Sequence, residues 1–110
     1  MKIGVPEPKG RNKPMMKKPV IEKKFLATPY GKIAYIEAGS EDKPPVLLVH
    51  GIPTSSYLWR HVINFLKTGF HCYAPDLLGL GDTEVDPETG KFHMRAQAEM
   101  LLEFMEKLGH

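Results

Sequence analysis

The run Val46-Leu47-Leu48-Val49 is followed at once by His50-Gly51-Ile52-Pro53 and then by the small hydroxyl residues Thr54, Ser55 and Ser56. Four apolar residues without alternation suit a strand covered on both faces, as in a parallel sheet with helices above and below. Gly51 permits a sharp turn and a close backbone approach. Pro53 lacks an N–H and fixes its own φ. The chain must therefore leave a buried strand through a stiff turn. Residues 56–67 then show helical spacing: Leu58, Val62, Phe65 and Leu66 share one face, with Trp59 and Ile63 beside them. Thr54, Ser55 or Ser56 is expected to cap the start by accepting a free backbone N–H, and Gly69 to end it. Phe70 to Ala74 reads as a second buried strand, which closes a βαβ unit.

The flanking segments extend this pattern. Residues 25–39 read as two strands around a turn at Pro29 and Gly31. In the second strand Ile33, Tyr35 and Glu37 alternate with Ala34, Ile36 and Ala38, which predicts a half-exposed strand. Residues 40–45 form a polar loop that Pro44 and Pro45 keep from becoming helical. Residues 75–91 read as loop and residues 92–108 as a helix, with Met94, Ala98, Leu101, Met105 and Leu108 on one face and Gly109 as its stop. The fold class is therefore α/β: a hairpin, one βαβ unit and a following helix. A helix ending at Leu108 should feed another parallel strand, so the expected fold is incomplete. A domain this small would be marginally stable alone.

Composition narrows the setting. A chain of 110 residues holds one small domain at most. No apolar run approaches the roughly 18 residues of a membrane helix, and no apolar stretch follows Met1-Lys2 to make a secretory signal. A single cysteine, Cys72, excludes an internal disulfide and a zinc site built on cysteine pairs. A buried thiol in a reducing cytoplasm is expected. The net charge of +2 is unevenly spread. Residues 1–24 hold eight Lys/Arg and two Glu, whereas residues 25–110 hold seven Lys/Arg and eleven Asp/Glu. Residues 1–22, which include Pro6, Pro8, Pro14 and Pro19, read as a flexible basic arm that cannot bury enough apolar surface to order itself. No aromatic residue interleaves its lysines to stack on bases, so a solvated tail is expected and nucleic acid is not.

In an open α/β sheet, ligands bind beyond the carboxyl ends of the strands. Two segments arrive there, His50–Pro53 and Pro75–Thr83. A stiff loop with outward N–H groups, just before a helix, suits a developing negative charge. The Ile52 N–H is the expected donor, supported by His50, Gly51 and Pro53, and the Ile52 side chain is expected to form pocket wall. On the residues alone an ordinary strand-to-helix turn is an equal alternative. Asp76 is expected to anchor its own loop through backbone hydrogen bonds. The five histidines include no i, i+4 pair, so no metal site is expected. A nucleophile improvised from Ser55 or Ser56 with His50 as base is not expected, because a capping serine spends its oxygen on the backbone and no third group orients the base.

His50-Gly51-x-Pro53, followed by Ser56, Trp59 and Arg60, resembles the first oxyanion-loop motif of the α/β-hydrolase superfamily. It is most similar to the branch of epoxide hydrolases, haloalkane dehalogenases and related serine hydrolases. Ala74-Pro75-Asp76-Leu77-x-Gly79-x-Gly81-x-Thr83 resembles the branch's next loop, where Ser is usual in place of Thr83. Tyr30-Gly31-x-Ile33-Ala34-Tyr35 before Glu37-Ala38-Gly39 resembles its opening strands. The resemblance covers residues 25–110 and implies the amino-terminal portion of a hydrolase domain. It also implies a nucleophile on a G-x-[S/D]-x-G elbow, with the acid and histidine later still. Neither G-x-S-x-G nor G-x-D-x-G occurs in these 110 residues.

The expectation is a chain cut before the elbow and inactive alone. Its parent would hydrolyse a small ester, epoxide or related neutral substrate through a covalent intermediate, with no metal or organic cofactor. A small-molecule substrate would bind only with the missing part present. In the resembling fold the strand at residues 46–50 is central and pairs with the missing strand, so here its edge would be long, bare and hydrophobic, and a complementing chain or a second copy would meet it. Ile52 stands where the resembling dehalogenases often carry an Asn that holds the leaving halide, which argues against dehalogenation. The alternative is a non-enzymatic α/β binding module with a basic arm.

Overall fold

Thr28 and Gly31 build the first turn. The Thr28 hydroxyl accepts the Tyr30 N–H at 3.1 Å and donates to the Gly31 carbonyl at 2.9 Å. Gly31 has φ 144°, and a Cβ there would strike the backbone of Glu84, so only glycine fits. This turn joins β1 (Lys24–Thr28) to β2 (Gly31–Ala38) in an antiparallel pair, with Leu26 opposite Ile33 and Phe25 opposite Ala34. The computed structural model describes residues 21–85 and 93–110. The expected basic arm at 1–22 lies outside them apart from Ile21 and Glu22, as does the loop at 86–91.

Four strands form one sheet in the order β1, β2, β4 (His71–Pro75) and β3 (Pro45–Leu47). The edge strand β3 runs parallel to β4, and β4 pairs antiparallel with β2 on its other side. After β3 the chain makes a 3-10 turn, Ser56–Trp59, and then α1 (Arg60–Leu66). The last element is α2 (Met94–Lys107). Strand alternation sends one set of side chains to each face. Ile33, Tyr35 and Tyr73 pack with Leu77, Leu78, Met100 and Phe104 on the α2 side. Ile36, Cys72 and Ala74 pack with Ile63, Trp59 and Leu66 on the α1 side.

The βαβ unit, the hairpin and the final helix stand where the sequence places them, and four details differ. First, β2 is not half-exposed: Ile33, Ala34, Tyr35 and Ile36 are all buried, because β2 is an interior strand with a helix on each face. Second, the apolar run at 46–49 is an edge rather than a doubly covered strand. Val46 to Leu48 are half-buried and Val49 is 43% exposed. Among the described residues β3 pairs only with β4, extended by the Leu48 N–H to the Tyr73 carbonyl at 2.8 Å. The bare edge is therefore present but short.

Third, α1 turns a different face to the sheet. Trp59, Ile63 and Leu66 pack inward, while Leu58, Val62 and Phe65 are exposed. Both sets obey helical spacing. The start of the turn is held by Ser55 and by the Ser56 N–H, as described below. Fourth, the inward face of α2 is Gln97, Met100 and Phe104, flanked by Leu101, Met105 and Leu108. Met94 and Ala98 are exposed. The Phe104 ring meets Tyr35 edge-on at 5.0 Å, a favoured aromatic geometry. Gly109 ends the helix with φ 93°, its N–H bonding Glu106 O at 3.0 Å while the His110 N–H bonds Met105 O at 2.9 Å. This is the paired bonding of a Schellman cap.

The fully buried Phe104 and the exposed Phe65 give a direct comparison. Phe104→Ala should cost about 3–5 kcal/mol, and Phe65→Ala at most about 0.5 kcal/mol, both read from urea melts.

Candidate functional site

Because β3 and β4 are parallel, the loops that follow them emerge side by side at one end of the sheet. His50 ties the two loops together. It is buried, and its Nε2 accepts the Leu77 N–H at 3.0 Å. The ring proton therefore sits on Nδ1, which donates to the Gly51 carbonyl at 2.7 Å. The Thr54 hydroxyl donates to the same carbonyl at 2.7 Å, and the Thr54 N–H does so at 3.1 Å. Three donors thus hold the Gly51 carbonyl inward. The Ile52 N–H belongs to the same trans peptide plane and points the opposite way, toward the outside of the turn. Among the described residues it donates to no acceptor.

Asp76 braces the floor of this arrangement. It is fully buried. Its Oδ1 accepts the Ser56 N–H at 2.7 Å. Its Oδ2 accepts the Asp82 N–H at 2.9 Å and the Lys23 ammonium at 2.7 Å. Lys23 also reaches the Asp82 carboxylate at 2.8 Å. Gly81, with φ 56°, lies against the Asp76 carboxylate so closely that a Cβ would overlap it. Burial alone would raise the Asp76 carboxyl, but the Asp82 N–H, the Lys23 ammonium and the Ser56 N–H outweigh it and hold the group below the ordinary aspartate value.

Ser55 supplies the cap expected of this segment by accepting the Tyr57 N–H at 3.3 Å. Thr83 and Gln97 complete the bracing. The Thr83 hydroxyl donates to the Asp76 carbonyl at 2.7 Å and accepts the Ala34 N–H at 3.0 Å. The Gln97 amide pairs with both backbone groups of Leu78, at 2.8 and 3.0 Å.

A cavity of about 460 Å³ opens between the two loops, lined by Pro53, Thr54, Leu58 and Gly79 to Gly81 among others. Ile52 is 66% exposed and is not among its lining residues. His50, Gly51, Ile52, Pro53 and Asp76 are thus gathered at the carboxyl end of the parallel strands. Asp76 anchors more than its own loop, since it also holds the turn at Ser56 and the approach to β1 at Lys23. Both nitrogens of His50 are committed to backbone groups, so it cannot serve as base for Ser55 or Ser56. Among the described residues no group of three His, Cys, Asp or Glu could hold a metal ion, and no helix is long and apolar enough to cross a membrane.

The sequence reading missed Lys23, Thr83 and Gln97 as parts of this frame. Gln97 carried a signal, as a polar residue within the apolar side of a helix. Lys23 carried none, because its partner lies 53 residues away.

The family profile described as alpha/beta hydrolase fold matches residues 44–110. A haloalkane dehalogenase of Bradyrhizobium diazoefficiens is 42% identical over 69 residues, which are 62% of this chain and 22% of that protein. A loop variant of a haloalkane dehalogenase from Bradyrhizobium elkanii superposes with a TM-score of 0.74 at 35% identity, covering 80% of this chain and 28% of that one. A bacterial membrane phospholipase A superposes with a TM-score of 0.75 at 31% identity, covering 80% and 28%. The chain therefore spans between a fifth and a third of the length of these relatives.

Two outcomes follow from the Asp76 frame. Unfolded chains bind the Asp76 proton more readily than folded ones, so its contribution is complete above the ordinary aspartate range and is lost as pH falls through the depressed folded value. Lys23→Met should shift that acid loss to higher pH, followed by circular dichroism. Gly81→Ala should destabilise by about 1–3 kcal/mol or more, since a strained φ and an overlap with a buried carboxylate add, measured by thermal melting.

Proposed function

The chain belongs to the α/β-hydrolase fold family, and from that membership we propose that it is the amino-terminal portion of a hydrolase domain that supplies one donor of the oxyanion hole. The donor is the Ile52 N–H. The observation that carries this reading is the Gly51 carbonyl held by three donors, which turns the Ile52 N–H outward at the end of the sheet. A nucleophile attacking a substrate carbonyl places negative charge on its oxygen, and a preorganised N–H stabilises that charge without reorganising. His50, Gly51 and Pro53 stiffen the loop, and Asp76 fixes the turn behind it.

The nucleophile and base are supplied by residues outside this sequence. No G-x-S-x-G or G-x-D-x-G occurs in it, and His50 is spent on the backbone. The short edge strand β3 is the place where a further parallel strand would add. The 110 residues alone are inactive, and substrate binds only to the completed domain. The substrate is a small ester, epoxide or related neutral molecule, hydrolysed through a covalent intermediate with no cofactor. The apolar Ile52 has no side-chain donor for a leaving halide, and the phospholipase likeness supports an ester.

Haloalkane is the second reading, favoured by the dehalogenase relatives. A third, non-enzymatic reading is strand addition by a partner or a second copy at β3, supported by its one-sided pairing. The lone thiol Cys72 is buried, and burial holds it above its ordinary value, which fits a reducing cytoplasm.

A nitrophenyl ester, an epoxide and a haloalkane offered to the 110-residue chain should show no turnover above buffer. Ester hydrolysis by the chain alone would overturn the reading. The intact native product should be much heavier than 12.4 kDa and its reading frame should continue past His110 into an elbow, whose Ser or Asp separates the substrate classes. A stop codon directly after His110, with a mass matching the short chain, would leave only the partner-binding reading.

A further inference from the structure

At the other end of the sheet from the cavity, four hydrogen-bonding side chains lie in a line. The His71 Nε2 is 2.6 Å from Glu37 Oε2. The Tyr73 hydroxyl is 3.3 Å from His71 Nδ1 and 3.1 Å from His110 Nε2. Lys24 closes the outer end, its ammonium 2.7 Å from Glu37 Oε1. His71 and Tyr73 are buried, so these groups rely on one another. The His71 and His110 rings stand edge to face, 6.3 Å apart. None of these residues belongs to the loops around His50 and Asp76, and the inference that follows does not depend on the hydrolase reading.

We propose that Glu37, His71, Tyr73 and His110 form a proton-operated hydrogen-bond relay that couples the amino-terminal hairpin to the carboxyl end of α2. The reasoning is an accounting of protons. A carboxylate only accepts, so the His71 Nε2 carries a hydrogen toward Glu37. The Tyr73 hydroxyl has one hydrogen and two imidazole neighbours. When His71 is neutral, the hydroxyl donates to His71 Nδ1, and His110 Nε2–H donates to the hydroxyl oxygen. When His71 takes a second proton from solvent, its Nδ1–H donates to the hydroxyl oxygen. The hydroxyl then turns to donate to His110 Nε2, which must be bare, so the His110 proton sits on Nδ1. One proton gained at His71 therefore changes the tautomer of His110. A second proton on His110 would return a hydrogen to Nε2 and leave the hydroxyl without an acceptor, so the two rings oppose each other's full protonation.

The charged and titratable groups around the line keep its outer members in fixed roles. Burial acts to raise the Glu37 carboxyl, but Lys24 on β1 and His71 on β4 outweigh it and hold it below the ordinary value, so it remains an acceptor. Burial, followed by the charge of Glu37 and by Tyr35 and Glu41, raises the Tyr73 phenol, so it keeps its single proton. On the side of α2, His110 is the group that faces the relay, and its own backbone N–H caps the helix on Met105 O at 2.9 Å. A change in its ring bonding thus acts directly at the helix end.

Long-range proton–nitrogen spectra of the 110-residue chain with labelled histidine, taken from about pH 8 to 5, read each ring's tautomer in the range where histidine titrates. The expected result is that His110 passes from Nε2–H to Nδ1–H in the same step in which His71 gains its second proton. In Tyr73→Phe the two rings should respond separately. In His110→Ala, which leaves the buried part of the line intact, the hydroxyl loses its second imidazole partner, so no coupled tautomer change remains and His71 keeps its Nε2–H toward Glu37. A His110 that keeps one tautomer throughout, or a Tyr73→Phe chain in which the two rings still change together, overturns the relay.

Discussion

One buried carboxylate decides how the upper end of this molecule is put together. Asp76 leaves the end of β4 and takes hydrogen bonds from Ser56 at the start of the 3-10 turn, from Asp82 in its own loop and from Lys23 just before β1. A bare carboxylate at this depth would be strongly disfavoured. With three donors it becomes a joint between segments far apart in sequence. The start of the turn before α1, the closeness of Gly81 and the seating of the loop after β4 are all tied to that one charge.

The two loops are held by complementary means. His50 reaches across to Leu77 and back to Gly51, and so converts an imidazole into a backbone clamp. Thr83 and Gln97 do the same for the loop after β4, binding it to β2 and α2. The result is a stiff rim around a cavity, with one peptide N–H turned outward. Rigidity of that kind is what a donor aimed at a developing charge requires. At the base of the sheet the polar groups are arranged differently. There the line from Glu37 to His110 can hold its hydrogens in two ways, whereas the Asp76 joint has only donors around an acceptor.

Much of the site was legible because its signals are local. A glycine and a proline directly after an apolar run mark a stiff turn, and an aspartate at a strand end marks a loop anchor. The same locality explains what was missed. Lys23 counts only toward the basic excess of residues 1–24, since nothing near it in the sequence reveals a partner at Asp76. The helical faces were misread for a related reason. Residues 58–66 carry two apolar stripes of equal spacing, and residues 94–108 offer a strip displaced from the one that is buried. Periodicity constrains the presence of a helix more tightly than its rotation when apolar residues are this frequent.

By itself, the sequence determined the order of strands and helices, the turns at Gly31 and Gly109, and the arrival of His50–Pro53 and Asp76 at the same end of the sheet. These depend on backbone geometry within a few residues, where glycine, proline and apolar spacing act directly. Only the tertiary structure decided that β2 is interior and β3 an edge, which stripe of each helix is buried, and which distant donor neutralises Asp76. Those outcomes depend on which surfaces meet across the sheet, and burial next to a partner remote in the chain leaves no mark on the neighbouring residues.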